Sequence, residues 1–181
     1  MLKWLIRRRI AAFERTWNYD ASYVRDILEA SPRAALLFNR IAALAAYHRD
    51  APVEALYAAK ITTTRAEDCG PCTQLGVTMA ERDGIDPALL RAIIDRDEAH
   101  MTEAARLGFR FAQATLAHDS AADDLRQQIV QHWGHRALVS LAFAIAGARL
   151  FPTVKYAVGR GKTCQRITIG GTTRPTLRQA A

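Results

Sequence analysis

Two cysteines three positions apart are the residues best suited to chemistry in this chain. Cys69 and Cys72 enclose a Gly-Pro pair, and proline favours the first turn of a helix. At a helix start, unpaired backbone N–H groups and the positive end of the helix dipole stabilise a thiolate. The pattern therefore predicts thiol–disulfide redox chemistry, in which one cysteine attacks and the other resolves the mixed disulfide. Position alone leaves open which cysteine attacks first.

Two other interpretations of the cysteine pair remain open. A structural zinc site needs four nitrogen or sulfur ligands, and only Cys164 and scattered histidines are left to complete one. Alternatively, both thiols are buried and inert where helices meet. His132 and His135 form the only close histidine pair in the sequence, but Gly134 interrupts the helix that a metal-binding pair requires. We expect no metal and no cofactor, and interpret Cys164 as a packed or partly exposed thiol.

Cys-Gly-Pro-Cys is also the active-site tetrapeptide of thioredoxins, but residues 62–68 form a polar connection where a thioredoxin has a buried strand. The sequence around the cysteines therefore does not fit a thioredoxin fold.

Helices are the elements that must position the cysteines. Ser31-Pro32 and Asp86-Pro87 predict helix starts, and Ser120 with Asp123 resembles a capping box. The apolar run over residues 137–151 predicts the central buried helix, which Pro152 stops or kinks.

These patterns predict an all-α protein with a single multi-helical domain. About eight helices are expected over residues 1–169, with a weakly extended piece over 163–169. Residues 170–181 are rich in Thr, Gly and Arg and predict a short, irregular and flexible tail. No composition shift separates a second domain.

Charge and hydropathy restrict the partners. The formal net charge is +7, but the excess of basic residues lies at the two ends of the chain and the body is mildly acidic. This distribution argues against a nucleic-acid partner. No run of 18 apolar residues occurs, so we expect no membrane span. The first residues lack the order of a signal peptide, and the expected location is the cytoplasm.

The first residues predict an amphipathic helix. Ile6, Ile10, Phe13 and Trp17 recur at helical spacing, with arginines mostly off that stripe. Docking on the protein's own core and binding to an anionic membrane surface are both open. We expect the three tryptophans to pack in the core or an interface. They are Trp4, Trp17 and Trp133.

Three segments carry a resemblance to a known family. They read ALYAAKI at 55–61, CGPCTQL at 69–75 and AERDGIDP at 80–87. Together they resemble the carboxymuconolactone decarboxylase and alkylhydroperoxidase D-like superfamily. The resemblance implies an all-helical fold that assembles into homo-oligomers. It also implies a thiol-dependent oxidoreductase that reduces a small peroxide or disulfide and takes electrons from a partner protein not identified by the sequence.

The acid–base residues depart from that family. Its redox members carry a glutamate 12 residues before the first cysteine and a histidine four after the second, and these positions are Tyr57 and Gly76 here. Glu54 lies one helical turn before Tyr57, so Glu54 or Tyr57 is the predicted proton partner. With the histidine missing, we expect weak peroxidase activity.

Two alternative functions remain. The decarboxylase members suggest proton transfer after loss of CO₂, which needs a carboxylate-binding arginine and a positioned acid, but no arginine is marked for that role. A non-catalytic oligomeric scaffold or binding protein that retains the cysteine pair is the other alternative.

Overall fold

Helices account for most of the chain in the computed structural model, which describes residues 2–161 and 166–175. The all-α prediction, with about eight helices, is confirmed. Cys164 and residues 176–181 lie outside the described residues. The helices of the described chain are α1 (Leu2–Trp17), α2 (Ser22–Ala30), α3 (Pro32–Ala45), α4 (Val53–Ala66), α5 (Gly70–Arg82), α6 (Pro87–Asp95), α7 (Glu103–Ala117) and α8 (Ala121–Ala157), with a 3₁₀ turn at Glu98–His100 and a hairpin of β1 (Arg166–Ile169) and β2 (Thr172–Pro175).

Local side-chain bonds start several of these helices. The Ser31 hydroxyl and the Asp86 carboxylate each accept a hydrogen bond from a backbone N–H in the first turn, at 3.2 and 2.7 Å, and a proline follows each cap. Both predicted starts are therefore confirmed. The capping box at Ser120 is wrong, because Ser120 makes no capping bond and the Asp119 carboxylate instead accepts from Ala121 N at 2.9 Å.

The central helix is α4, not the apolar segment at 137–151. It contacts α5, α6, α7 and α8, and its middle is buried on all sides because alanines let neighbouring helices approach. Gly108 of α7 lies so close to α4 that a Cβ there would stand 2.3 Å from the Ala55 carbonyl oxygen. The central helix was predicted from the hydrophobicity of residues 137–151. In the structure, small side chains determine which helix neighbouring helices can pack against on all sides.

The polar stretch before the cysteines is helical rather than a connection. Helix α4 continues to Ala66, and Thr62, Thr63 and Thr64 are buried within it. The Thr63 hydroxyl donates to the Ala59 carbonyl at 2.8 Å and the Thr64 hydroxyl to the Ile61 carbonyl at 3.1 Å. These bonds satisfy two of the three hydroxyls inside the helix, so the threonines tolerate burial there.

Helix α8 is longer than predicted because neither breaker ends it. Gly134 leaves helical geometry at φ 82° and kinks the helix, while Pro152 lies inside it. Among the described helices, α8 alone is long and apolar enough to cross a membrane by length and composition, although a buried core helix passes the same test. The sequence prediction of no membrane span counted only the apolar run, whereas the helix continues beyond it; that prediction stays a prediction. It packs on α3, α4 and α7.

A β-hairpin follows the helices. Arg166 pairs with Pro175 and Ile169 with Thr172 in antiparallel register, so residues 172–175 of the predicted irregular tail form a strand. Ile167 and Ile169 are buried against the cluster formed by α4, α5 and α6. The Gln74 side-chain oxygen accepts a hydrogen bond from Thr168 N at 2.7 Å, and the Gln74 side-chain nitrogen donates to the Thr168 carbonyl at 3.0 Å. The hairpin is thereby attached to α5, the helix that begins at the cysteines.

Candidate functional site around the cysteine pair

Cys69 and Cys72 lie at the start of α5, as predicted. Cys69 is the N-cap residue, and Gly70 and Pro71 form the first turn. The chain reverses from α4 into α5 through Asp68, which adopts the left-handed conformation at φ 49°. The two sulfurs are 2.07 Å apart, a disulfide distance. The cysteine pair therefore lies where a helix begins, at disulfide distance.

Backbone and threonine hydrogen bonds hold this turn. Cys69 N donates to the Thr64 carbonyl at 3.2 Å, and Thr73 N donates to the Cys69 carbonyl at 2.9 Å. The buried Thr73 hydroxyl lies 3.0 Å from the Cys69 carbonyl oxygen and 3.1 Å from the Thr64 hydroxyl. The end of α4 and the start of α5 thus form one hydrogen-bonded unit around the cysteines.

Both cysteines are buried. Only 2% of Cys69 and 7% of Cys72 is exposed. Residues 2–30, comprising α1, α2 and the turn between them, contribute to a separate hydrophobic cluster that also contains the partly buried Leu75 of α5. We call residues 2–30 the cover. The buried members of that cluster are Ile10, Tyr19, Ala21, Tyr23, Leu28 and Ala35.

The surroundings of the disulfide include a buried polar group. The Tyr19 hydroxyl, from the turn of the cover, lies 3.9 Å from Cys72 Sγ. Lys155 of α8 donates from Nζ to the same hydroxyl at 3.5 Å and lies 4.8 and 5.7 Å from the rings of Tyr19 and Tyr23. Tyr19, Tyr23 and Lys155 are all buried. The Tyr19 phenol therefore adjoins the sulfur of Cys72, and Lys155 and Tyr23 lie next to that phenol.

Burial keeps the two phenols protonated. Desolvation, reinforced by Tyr23, raises the pKa of Tyr19 far above its ordinary range. Desolvation likewise raises the pKa of Tyr23 from 10.0 to about 12, although a hydrogen bond from Tyr19 opposes this. A phenol that keeps its proton donates a hydrogen bond and does not act as a base. Tyr19 is therefore suited to stabilise a thiolate at Cys72.

Helix α8 also holds the turn before Cys69. The Tyr156 hydroxyl donates to the Asp68 carbonyl at 3.1 Å, and Arg149 pairs with Glu67 at 3.0 Å. Glu67 is thus neutralised by a partner on α8. The Arg65 guanidinium donates a hydrogen bond to the Ile94 carbonyl, and this bond holds the Arg65 side chain against α6.

The structure does not bring the predicted proton partners to the disulfide. The Tyr57 hydroxyl donates to the Asp83 carboxylate, and Asp83 lies eleven positions after Cys72, about 16 Å along the helix. The Glu54 carboxylate accepts from the Thr102 hydroxyl at 2.5 Å. Because α4 and α5 run in opposite directions, the start of α4 meets the end of α5. Both residues therefore belong to the far end of the helix pair.

Gly76 is equally unsuited to a relay. A Cβ at this position would stand 3.4 Å from the Ile61 side chain, so the position faces the packing between α4 and α5. Glycine itself has no side chain that could carry a proton.

Sequence reasoning missed Tyr19, Tyr23 and Lys155. Two weak signals were available: two tyrosines four positions apart, and one lysine in a largely apolar segment just after Pro152. Neither signal specifies a partner, because residues 19, 72 and 155 meet only through packing.

No three His, Cys, Asp or Glu side chains in the described part of the chain are grouped to hold a metal ion. Cys164 lies outside that part. His132 and His135 are both exposed on α8. Trp4 is 59% exposed and so does not pack in the core of this chain; its packing in an interface stays a prediction. Trp17 and Trp133 are half-buried.

No family model, curated protein or solved structure matches this chain. Its function must therefore be inferred from the site itself and from the three sequence segments.

Proposed function

We propose that this protein is a thiol–disulfide oxidoreductase in which Cys69 and Cys72 cycle between dithiol and disulfide. The observation that carries the proposal is the polar group at Cys72, where a protonated phenol lies 3.9 Å from the sulfur and a buried lysine bonds that phenol. The helix start adds its positive dipole end to the same region. The substrates would be small hydroperoxides or disulfides, as the sequence resemblance implies.

The proposed peroxide reaction balances with the two cysteines alone. The Cys72 thiolate attacks the terminal peroxide oxygen, the O–O bond breaks, and the leaving alkoxide takes a proton to become an alcohol. Cys72 is then a sulfenic acid. The Cys69 sulfur attacks it, forms the disulfide and releases water. An external dithiol donor then returns two electrons by disulfide exchange.

Tyr19 and Lys155 support the thiolate in this scheme. On reduction of the disulfide, the Tyr19 O–H would turn from Tyr23 to the Cys72 thiolate, while Lys155 donates to the phenol oxygen and polarises it. This arrangement takes the role that the sequence assigned to Glu54 or Tyr57. The proton partner is thus replaced by a hydrogen-bond donor, and Cys72 is the attacking cysteine.

Substrate access requires a local opening at the cysteines. Only 2% of Cys69 and 7% of Cys72 is exposed, and the Tyr19 turn of the cover lies against Cys72, so movement of that turn would expose the sulfur. The reaction should therefore be limited by opening, and the rate should be modest.

The burial of both sulfurs favours a second candidate, a non-catalytic protein with a structural disulfide. Such a bond closes only a four-residue loop and contributes about 2 kcal/mol by chain entropy. A disulfide that closes so short a loop stabilises the chain less than one that closes a long loop. The structural role is therefore supported by burial but only weakly by the expected gain in stability.

The deciding experiment compares cysteine variants in hydroperoxide turnover with a dithiol donor. We expect Cys72→Ser to abolish turnover and Cys69→Ser to stop it after one sulfenic acid per chain, with Cys164→Ser as the matched control that retains activity. Sulfenic acid is measured by mass spectrometry after dimedone capture. Turnover that persists in the double variant of Cys69 and Cys72 would reject the proposal. Absent turnover together with a slow reaction of the wild-type dithiol would favour the structural disulfide.

A further inference from the structure

The outer face of α1 exposes apolar side chains beside arginines. Leu2, Trp4 and Leu5 are 51%, 59% and 51% exposed. Arg8 and Arg9 follow Trp4 and Leu5 by four positions, one helical turn. The Arg8 guanidinium lies 5.3 Å from the centre of the Trp4 ring. Apolar and cationic groups therefore alternate on one surface.

The opposite face of α1 is already used by the protein's own core. Ile6, Ile10 and Trp17 pack in the cover cluster, and Arg82 of α5 lies 4.5 Å over the Trp17 ring. The outer residues are therefore not core residues that happen to lie near the surface. They form a second apolar face on the same helix.

The positive charge of this outer face is not neutralised by carboxylates. Glu14, the one acid in α1, binds Arg25 of α2 at 2.6 and 2.7 Å. Lys3 and Arg7 pair with Glu29 on the inner side of the helix. Neither Arg8 nor Arg9 takes part in an ion pair with the rest of residues 2–161 and 166–175.

We propose that the outer face of α1 binds the surface of an anionic lipid bilayer. Trp4 and the two leucines would enter the boundary between head groups and acyl chains, where tryptophan is preferred. Arg8 and Arg9 would contact lipid phosphates, and each cation near an anionic membrane strengthens binding. The helix lies along the membrane and does not span it.

A second copy of this chain fits the same face poorly. A symmetric dimer places the same patch on both sides, so Arg8 and Arg9 of one protomer would face those of the other. Like charges across an interface weaken association. Helix α3 also exposes leucines and arginines, but its exposed large apolar side chains include no tryptophan, which makes it the matched control surface.

The test is sedimentation of the full chain with vesicles of phosphatidylcholine, with and without phosphatidylglycerol. We expect the wild type to bind the anionic vesicles and to dissociate at high salt. Trp4→Ser with Leu5→Ser should lose binding. Arg8→Gln with Arg9→Gln should weaken binding by about 30-fold.

Matched α3 variants keep the inference falsifiable. Leu36→Ser with Leu37→Ser and Arg33→Gln with Arg40→Gln should leave binding within about twofold of the wild type. Circular dichroism checks that every variant retains its helices. The inference is overturned by a wild type that ignores anionic vesicles or binds neutral ones equally well. It is also overturned if the α3 variants lose as much binding as the α1 variants. These outcomes do not depend on cysteine activity.

Discussion

At the residue scale, the proposed function depends on the contact between Tyr19 and Cys72. A thiolate in a buried site would need a donor, and the Tyr19 hydroxyl lies 3.9 Å from the sulfur. Lys155 donates to that phenol from α8 at 3.5 Å. The thiolate and its support therefore come from three separate parts of the chain.

Tyr19→Phe should slow alkylation of reduced Cys72 at neutral pH by about tenfold, because a hydrogen bond to a charged group contributes about 1.5 kcal/mol. The midpoint of the rate against pH should move to higher pH. Mass spectrometry of the iodoacetamide adduct measures both. Tyr57→Phe is the matched control, since its hydroxyl binds Asp83 at the far end of α5, and its rate should stay within twofold. Equal effects of the two variants would contradict this assignment.

Tyr23 makes the fold sensitive to alkali. Its pKa rises from 10.0 to about 12 on burial, so below pH 10 folded and unfolded chains both keep the proton and nothing is lost. Between pH 10 and 12 the unfolded chain releases the proton first, so the contribution of Tyr23 to stability falls by about 3 kcal/mol, and the raised pKa of Tyr19 adds a further loss. Urea unfolding across this range measures the loss. In Tyr23→Phe, the free energy of unfolding should fall less steeply between pH 10 and 12. An unchanged slope against pH would show that Tyr23 does not lower stability in this way.

At the scale of elements, small residues determine how closely helices approach α4. The carbonyl of Ala55 faces Gly108 so closely that no Cβ fits between them. Backbone cannot yield as a flexible side chain does. The position of α4 at the centre thus depends on a glycine of α7 as much as on α4 itself.

Gly108→Ala should lower the free energy of unfolding by about 3 kcal/mol through this overlap with backbone. Gly76→Ala is the matched control, since its Cβ would meet only the Ile61 side chain at 3.4 Å. There the gain in helix propensity, about 0.5 to 1 kcal/mol, should leave stability equal or higher. Denaturant unfolding of both variants provides the comparison. A stable Gly108→Ala protein would mean that α4 and α7 lie farther apart.

At the scale of the whole molecule, α1 is the part of the cover expected to open most easily. Its cluster is separate from the two clusters that surround α4, and Ile10 is the buried residue that α1 contributes. Few buried apolar groups imply a low free energy for local opening. Access to the disulfide would follow from that motion.

Amide hydrogen exchange of the full chain should therefore be faster in α1 than in the buried part of α4. Mass spectrometry of peptides after pulse labelling measures the order. Reduction of the disulfide should speed exchange at the start of α5 and in the turn at Tyr19, while α6 serves as the internal reference. Exchange in α1 as slow as in α4 would exclude an opening cover.

The sequence by itself determined the local features. Hydrophobic periodicity placed the helices, and Ser31 and Asp86 marked starts because a capping bond involves residues only two or three positions apart. The cysteine pair at the start of α5 follows from the same short range. By contrast, polarity made 62–68 look like a connection, and family spacing directed attention to Glu54 and Tyr57.

Only the tertiary structure decided which side chains meet. Tyr19, Cys72 and Lys155 come from distant parts of the chain, and no local pattern encodes their contact. Burial is decided at the same level, since an apolar helix is buried only where neighbours cover it: Thr63 is buried in α4, whereas Val139 in the apolar part of α8 is 41% exposed. Local hydrogen bonds and periodicity set the elements, while the fit between distant surfaces set the candidate site.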